Sequence, residues 1–181
     1  MREVETYSKI TEPGAVRFER LLPGPIERVW AYLTEPEKRK KWFAGGEMDL
    51  RVGGKAELIF EHANLSSEKT YPEKYKQMEG GLRTQAEITR CEPPHTLAFL
   101  WFGGPGDTSE VIFELSSRGE NVLFVITHRR LSDAAAARDV SIGWHSHVGI
   151  LEDNLRGVEP RPFWTTHAKL EEEYRQRMPL D

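Results

Sequence analysis

The most constraining feature of this chain is a long stretch of β pattern that ends in a single amphipathic helix. From residue 47 to residue 128, apolar and polar side chains alternate in short runs separated by turn residues. Such alternation is typical of half-buried strands, and the tight turns favour an antiparallel meander. Residues 134–156 then show helical spacing of Trp144, Val148, Leu151 and Leu155, and Gly157 follows as a stop signal.

One more strand and two short helices are predicted ahead of this stretch. Pro25 suits the first turn of a helix, and residues 36–42 predict a second short one. Together these patterns predict an α+β helix-grip fold, a seven-stranded curved antiparallel sheet wrapped around a long C-terminal helix, with two short helices after strand 1. The predicted strands are residues 15–22, 47–52, 56–60, 82–89, 97–102, 108–115 and 121–128.

The 181 residues suit one domain with short additions at both ends. Residues 1–13 are polar without a clear period and predict a flexible N-terminal arm. Residues 14–157 form the predicted helix-grip domain, and residues 158–181 a C-terminal helical extension. The polar segment 62–77 is long for a hairpin loop, and loops of this length are often lids or disordered.

Composition narrows the classes of function. The net charge of −4 argues against a nucleic-acid partner, which usually meets a basic face. No apolar run approaches the ~18 residues of a membrane-spanning helix. Cys91 is the sole cysteine, which excludes an intrachain disulfide and favours a cytoplasmic location.

The predicted architecture leaves space between sheet and helix. A twisted antiparallel sheet curls, and one helix cannot fill its concave face entirely. Bulky inward positions, or a guest molecule, must fill the rest. Aromatic side chains dominate those positions, as they do in many small-molecule pockets. The candidate ligand-binding residues are Phe60, Phe99, Trp101, Phe113, Phe124, His128, Trp144, His147 and Leu151.

Catalytic and metal-binding patterns are sparse. His128, near the end of the last strand, is the one candidate for proton transfer if the protein is an enzyme. His145 and His147 lie two positions apart and project in different directions from a helix, so no zinc pair forms. We expect no cofactor and no metal. The basic run 38–41 is interpreted as a solvated helix face.

Several short motifs resemble one known family. The segments Pro25-Ile26-Glu27-Arg28-Val29-Trp30, Leu33-Thr34-Glu35-Pro36 and Lys41-Trp42-Phe43 resemble the opening of the SRPBCC (START-like) superfamily. Asp49-Leu50-Arg51-Val52-Gly53-Gly54, Thr127-His128 and Gly143-Trp144 resemble the branch named for heat shock protein 90 ATPase activator homologues. The resemblance covers about residues 15–157. It implies a helix-grip fold with a hydrophobic cavity, but not one activity, since the superfamily includes lipid carriers, hormone receptors, aromatase/cyclases and stress-related proteins.

Three functions remain open from the sequence. The first is binding or carriage of a small apolar or amphipathic molecule, which would enter between residues 62–77, the turn 103–106 and the C-terminal helix. The second is a cyclase- or hydrolase-type enzyme on an aromatic or polyketide-like substrate, with His128 transferring a proton. The third is a stress-response interaction module that contacts a chaperone. A homodimer through outward apolar side chains is also predicted, with Ile59, Leu100, Leu123 and Val125 at its interface.

Overall fold

The structure, a computed structural model, describes residues 3–104 and 107–180. Pro105 and Gly106, in the turn at the expected entrance, lie outside the described residues. Seven antiparallel strands form one sheet in the order β1-β2-β7-β6-β5-β4-β3. The strands are β1 Lys9–Glu12, β2 Ala15–Pro23, β3 Lys55–Phe60, β4 Leu82–Glu92, β5 Thr96–Gly104, β6 Asp107–Arg118 and β7 Asn121–Arg129.

The helices follow the expected order. Helices α1 (Ile26–Thr34) and α2 (Pro36–Arg39) connect β2 to β3, and α3 (Ala134–Arg156) follows β7. Asp133 caps α3 by accepting a hydrogen bond of 2.8 Å from the backbone N–H of Ala136. Gly157 ends α3 with φ of 70°, a left-handed conformation that favours glycine. The predicted helix-grip fold is therefore confirmed, and a last helix, α4, spans Phe163–Arg177.

The seven strands differ from the predicted seven in two places. Residues 47–52 do not form a strand, because the chain turns sharply there and Met48 alone makes an isolated bridge, to Ala56. Leu50 and Val52 are 43% and 70% exposed, so their alternation does not reflect burial. The additional strand is β1, whose four residues are all exposed. An edge strand with no buried face lacks the alternation that would predict it.

Besides its pairing in the sheet, the N-terminal segment packs against the helices α3 and α4. Ser8 is buried, and its backbone N–H donates a hydrogen bond of 2.8 Å to the Tyr174 hydroxyl of α4. The Ser141 hydroxyl of α3 donates to Ser8 Oγ at 2.8 Å. Residues 8–12 are thus held by strand pairing and side-chain contacts, in place of the expected flexible arm.

Most of the interior is filled by the protein's own side chains. α3 lies on the concave face, and the inward rings of Phe99, Phe113 and Phe124 pack beneath it with exposure of 1% or less. Trp42, from the segment after α2, is fully buried against Phe113 and Phe124. The space left between sheet and helix is accordingly small, and it lies toward one end of α3.

No helix in the described ranges combines the length and the hydrophobicity needed to cross a lipid bilayer. The longest, α3, has 23 residues but carries charged and polar side chains along its length.

Candidate functional site

A pocket of about 170 Å³ lies between the N-terminal half of α3 and the sheet. Its walls combine two aromatic residues of the sheet, one residue from the segment after α2, and one face of α3. Asp139 is exposed and Gly143 is half-buried, while the other lining residues are buried. The lining residues are Phe43, Phe60, Trp101, Asp139, Val140, Gly143, Trp144 and His147.

Four aromatic rings define the apolar part of the pocket. Phe60 and Trp101 stack with 5.7 Å between ring centroids and an interplanar angle of 12°. Phe43 packs against Trp144 at 5.0 Å and meets Trp101 edge-on at 5.9 Å. Tilted and edge-on arrangements of this kind are the favoured geometries for aromatic pairs, and they hold the walls in place.

His147 forms the deep polar wall. Its Nδ1 lies 2.7 Å from the backbone carbonyl of Trp42, so Nδ1 carries the proton and donates. Burial first, and then the neighbouring His62, lowers the pKa of His147 to about 3. The ring is therefore neutral near pH 7, and its Nε2 is an acceptor with no hydrogen-bond partner among the described residues.

His128 lies in the core and does not line the pocket. Its Nδ1 accepts a hydrogen bond of 3.0 Å from Trp144 Nε1, so Nε2 carries the proton and donates to Ser109 Oγ at 2.8 Å. Burial lowers the pKa of His128 to about 3. Both ring nitrogens are thus engaged by protein groups, and His128 is a structural histidine in this geometry.

The structure divides the nine predicted ligand-binding residues into two groups. Phe60, Trp101, Trp144 and His147 line the pocket. The other five pack in the core with exposure of 1% or less, and Trp42 covers two of them, Phe113 and Phe124. These five are Phe99, Phe113, Phe124, His128 and Leu151.

Four lining residues escaped the sequence analysis. Two of them, Asp139 and Gly143, precede the predicted His147 at spacing of four on α3, which places all three along one stripe of the helix. That spacing was available in the sequence, but the neighbouring apolar stripe through Trp144 and Leu151 gave the stronger pattern. Val140 and Phe43 complete the missed set, and neither differs in sequence from an ordinary core residue.

Arg39 positions Phe43, and it departs from the interpretation of 38–41 as a solvated face. The side chain is fully buried, and its guanidinium donates to the backbone carbonyls of Thr34 (3.1 Å), Ala44 (2.9 Å) and Gly46. Burial lowers the pKa of Arg39 to about 10. These bonds tie α1 to the segment that delivers Phe43 to the pocket.

The segment 62–79 and α4 interlock beside the pocket. We call this pair of segments the flap. Tyr75 stacks on Trp164 at 5.0 Å with an angle of 18°, and its hydroxyl donates to Glu171 at 2.8 Å. The Phe163 N–H donates to Ser66 Oγ at 3.1 Å. The flap borders the pocket through Phe163, whose ring lies 4.9 Å from that of His147.

Two buried polar atoms of the flap have no hydrogen-bond partner in the described part of the chain. They are His62 Nδ1 and Trp164 Nε1, on rings 5.2 Å apart. Burial lowers the pKa of His62 to about 4, so this ring is neutral near pH 7. Unpaired buried polar atoms are costly, so we expect the flap to open more readily than the core beneath it.

Other surface depressions are weaker candidates for a binding site. A larger depression of about 1000 Å³ lies between residues 3–10 and 177–179, and polar and apolar groups from both terminal segments form it. Across the ranges that the structure describes, no three His, Cys, Asp or Glu side chains are grouped so that they could hold a metal ion. The aromatic pocket is the site with a defined chemical character.

Comparison with known proteins identifies the family. Residues 23–156 match the family model described as "Activator of Hsp90 ATPase homolog 1-like protein", which is well over half of the chain. The chain belongs to this family. The matched segment of this activator-homologue family includes both short helices after β2, the strands β3 to β7 and the whole of α3. It therefore includes every residue that lines the pocket.

Solved structures agree with the family assignment. The protein encoded by gene BPP1335 of Bordetella parapertussis is 50% identical, with 92% of this chain and 87% of that chain covered and a TM-score of 0.79. CalU16 from Micromonospora echinospora is 22% identical over 96% of both chains, with a TM-score of 0.69. DynU16, from the dynemicin biosynthetic locus, is 19% identical over 81% of this chain and 49% of that chain, with a TM-score of 0.63. The last two show the shared fold alone. No curated protein matches the chain.

Proposed function

We propose that this member of the family binds a small apolar or amphipathic molecule in the pocket between α3 and the sheet. The observation that carries the proposal is the set of four buried aromatic rings around about 170 Å³ of unfilled space. Concave sites with mostly apolar, aromatic walls and a few polar groups are the usual form of small-molecule pockets. A cavity of about 150 Å³ with apolar walls is large enough to bind benzene.

The size of the pocket limits the ligand. Typical ligand pockets measure about 300–1,000 Å³, so this one holds one ring or one end of a longer molecule. The pocket is small because Trp42 and three phenylalanines occupy the rest of the interior. Opening of the flap next to His147 would lengthen the pocket for a larger guest.

Toluene titration followed by NMR tests the proposal. We expect saturable shifts of the Gly143 amide and of the Trp101 and Trp144 indole signals. Native mass spectrometry of the purified protein would also detect a retained guest. Absence of saturable shifts at toluene's solubility limit would overturn the proposal.

The alternative functions draw less support from the geometry. Proton transfer by His128 requires a free ring nitrogen at the pocket, whereas both nitrogens are bonded within the core. Of the four residues predicted at a homodimer interface, Leu123 and Val125 are each 6% exposed and are covered within the monomer. Contact with a chaperone stays a prediction that a pull-down with a heat-shock ATPase would test.

A further inference from the structure

The polar groups that the pocket offers to a ligand are all acceptors. Trp101 and Trp144 carry the indole N–H groups nearest the pocket, and both are already used in the core. Trp101 Nε1 donates to Thr84 Oγ1 at 2.8 Å, and Trp144 Nε1 donates to His128. His147 donates through Nδ1 to the Trp42 carbonyl, which leaves its Nε2 as an acceptor.

The second acceptor is the carboxylate of Asp139 at the rim. The pKa of Asp139 is raised, chiefly by desolvation and also by Glu171 and Asp133, while Lys74 and Arg138 act in the opposite direction. Lys74 lies 3.9 Å from Glu171, and neither Lys74 nor Arg138 lines the pocket. Asp139 is exposed and is the one carboxylic acid among the lining residues, and no lysine or arginine lines the pocket.

The two acceptors are separated along α3. Asp139 and His147 lie eight residues apart, which is about 12 Å along a helix axis. Gly143 lies midway between them, and a Cβ built there would meet no atom within 4 Å. A ring can therefore pass over Gly143, with the rings of Phe43, Phe60, Trp101 and Trp144 around it.

We propose that the ligand is a small aromatic amine with hydrogen-bond donors at both ends. Its ammonium group lies at the rim near Asp139, and a hydroxyl or N–H group at its buried end donates to His147 Nε2. Aromatic faces attract cations, and this effect is worth about 0.5–2 kcal/mol depending on desolvation, which adds to the attraction of the carboxylate. An anionic ligand would meet a carboxylate and find no donor. This inference rests on the proposed function of the same pocket.

A set of four matched probes tests the inference by calorimetry and by the Gly143 amide shift. Tyramine has both donors, phenethylamine lacks the hydroxyl, para-ethylphenol lacks the amine, and phloretate replaces the ammonium group with a carboxylate. We expect tyramine to bind most tightly and phloretate at least about tenfold more weakly, since one charge-assisted hydrogen bond is worth roughly that ratio.

Two variants with the same charge change complete the design. Asp139→Asn should remove the preference for tyramine over para-ethylphenol. Asp133→Asn is the control, because Asp133 caps the same helix but does not line the pocket, and asparagine also caps helices well. If none of the probes, nor toluene, binds saturably, the proposed function itself fails. If toluene binds but phloretate binds as tightly as tyramine, the pocket function stands and the present inference is wrong.

Discussion

Trp144 and His128 share a hydrogen bond of 3.0 Å that joins α3 to the sheet, with the indole Nε1 as donor and the imidazole Nδ1 as acceptor. The bond places one wall of the pocket, because the other side of the Trp144 ring faces the open space. It also determines the tautomer of His128, whose proton must lie on Nε2 and point to Ser109 Oγ.

This contact predicts the effect of Trp144→Phe. The substitution leaves Nδ1 of a fully buried imidazole without a donor, and we expect the free energy of unfolding to fall by about 1–3 kcal/mol. Nitrogen NMR of the wild type should show His128 protonated at Nε2 alone. Trp30→Phe, at a half-buried indole on α1, is the control and should cost less. A wild-type His128 protonated at Nδ1 would contradict the structure.

Arg39 and Lys40 offer a matched pair of neighbours. Arg39→Met leaves the carbonyls of Thr34 and Ala44 unpaired in the interior, so we expect a loss of stability on the order of 3 kcal/mol. Lys40→Met removes an exposed cation whose partner is Glu37, and its effect should stay within about 0.5 kcal/mol. Urea unfolding of both variants measures the difference, and equal effects would show that the Arg39 hydrogen bonds do not hold α1 to the segment that carries Phe43.

Gly143 and Gly149 lie on different faces of α3, and we expect alanine at the two positions to change the stability of the protein differently. Gly143→Ala meets open space and should stabilise the helix by about 0.5–1 kcal/mol. Gly149→Ala brings a Cβ to 3.0 Å from Arg161 Nη1, and that side chain is held by two bonds to Asp153. We therefore expect Gly149→Ala to be less stable than Gly143→Ala in thermal unfolding.

Filling the pocket gives a separate prediction. Gly143→Leu should occupy the space over which a ring would lie and abolish toluene binding, while the protein remains folded by circular dichroism. Toluene binding that survives this substitution would place the ligand elsewhere, for instance in the depression between the two termini.

Buried neutral histidines predict a loss of stability in mild acid. Burial lowers the pKa of His128 and His145 to about 3 and that of His62 to about 4, below the ordinary value of 6.5. The unfolded chain therefore binds more protons than the folded chain below pH 6.5, and stability decreases as the pH falls toward 4. Each such histidine contributes up to about 1.4 kcal/mol per pH unit.

Urea midpoints measured between pH 7 and pH 5 test this prediction. Stability should already begin to decline between pH 7 and 6.5, because an unfolded histidine of ordinary pKa is half protonated at pH 6.5, and the decline should steepen toward pH 5. The slope of free energy against urea should stay constant, which would show that the same structure unfolds at each pH. A midpoint that is constant down to pH 5 would contradict the neutral, buried state of these side chains.

The flap is predicted to control access to the pocket. Tyr75→Ala removes both the stack on Trp164 and the hydrogen bond to Glu171, so we expect faster amide exchange over residues 62–79 and faster release of toluene. Lys76→Ala, one residue beyond Tyr75 and more exposed, is the control and should change neither rate. Unchanged release from Tyr75→Ala would indicate that the guest leaves by another route.

Local sequence patterns determined most of the fold. The alternation in residues 82–128 identified four strands, and Gly157 marked the end of α3, because caps and periodicity act through neighbouring residues. Prediction was wrong where local pattern and burial disagree, as at Leu50 and Val52, and it missed β1, whose residues are all exposed. For the same reason, the local pattern of the basic run 38–41 did not predict that Arg39 is buried.

Which inward side chains face open space was decided by the tertiary structure alone. The sequence placed Trp144 and His147 on the inner side of the helix and His128 on the inner side of the sheet. It could not tell that Trp42 fills the space over Phe113 and Phe124, whereas the space beside Gly143 stays open. That difference depends on how a helix and a curved sheet meet across many residues, and packing over such distances is not encoded in any short pattern.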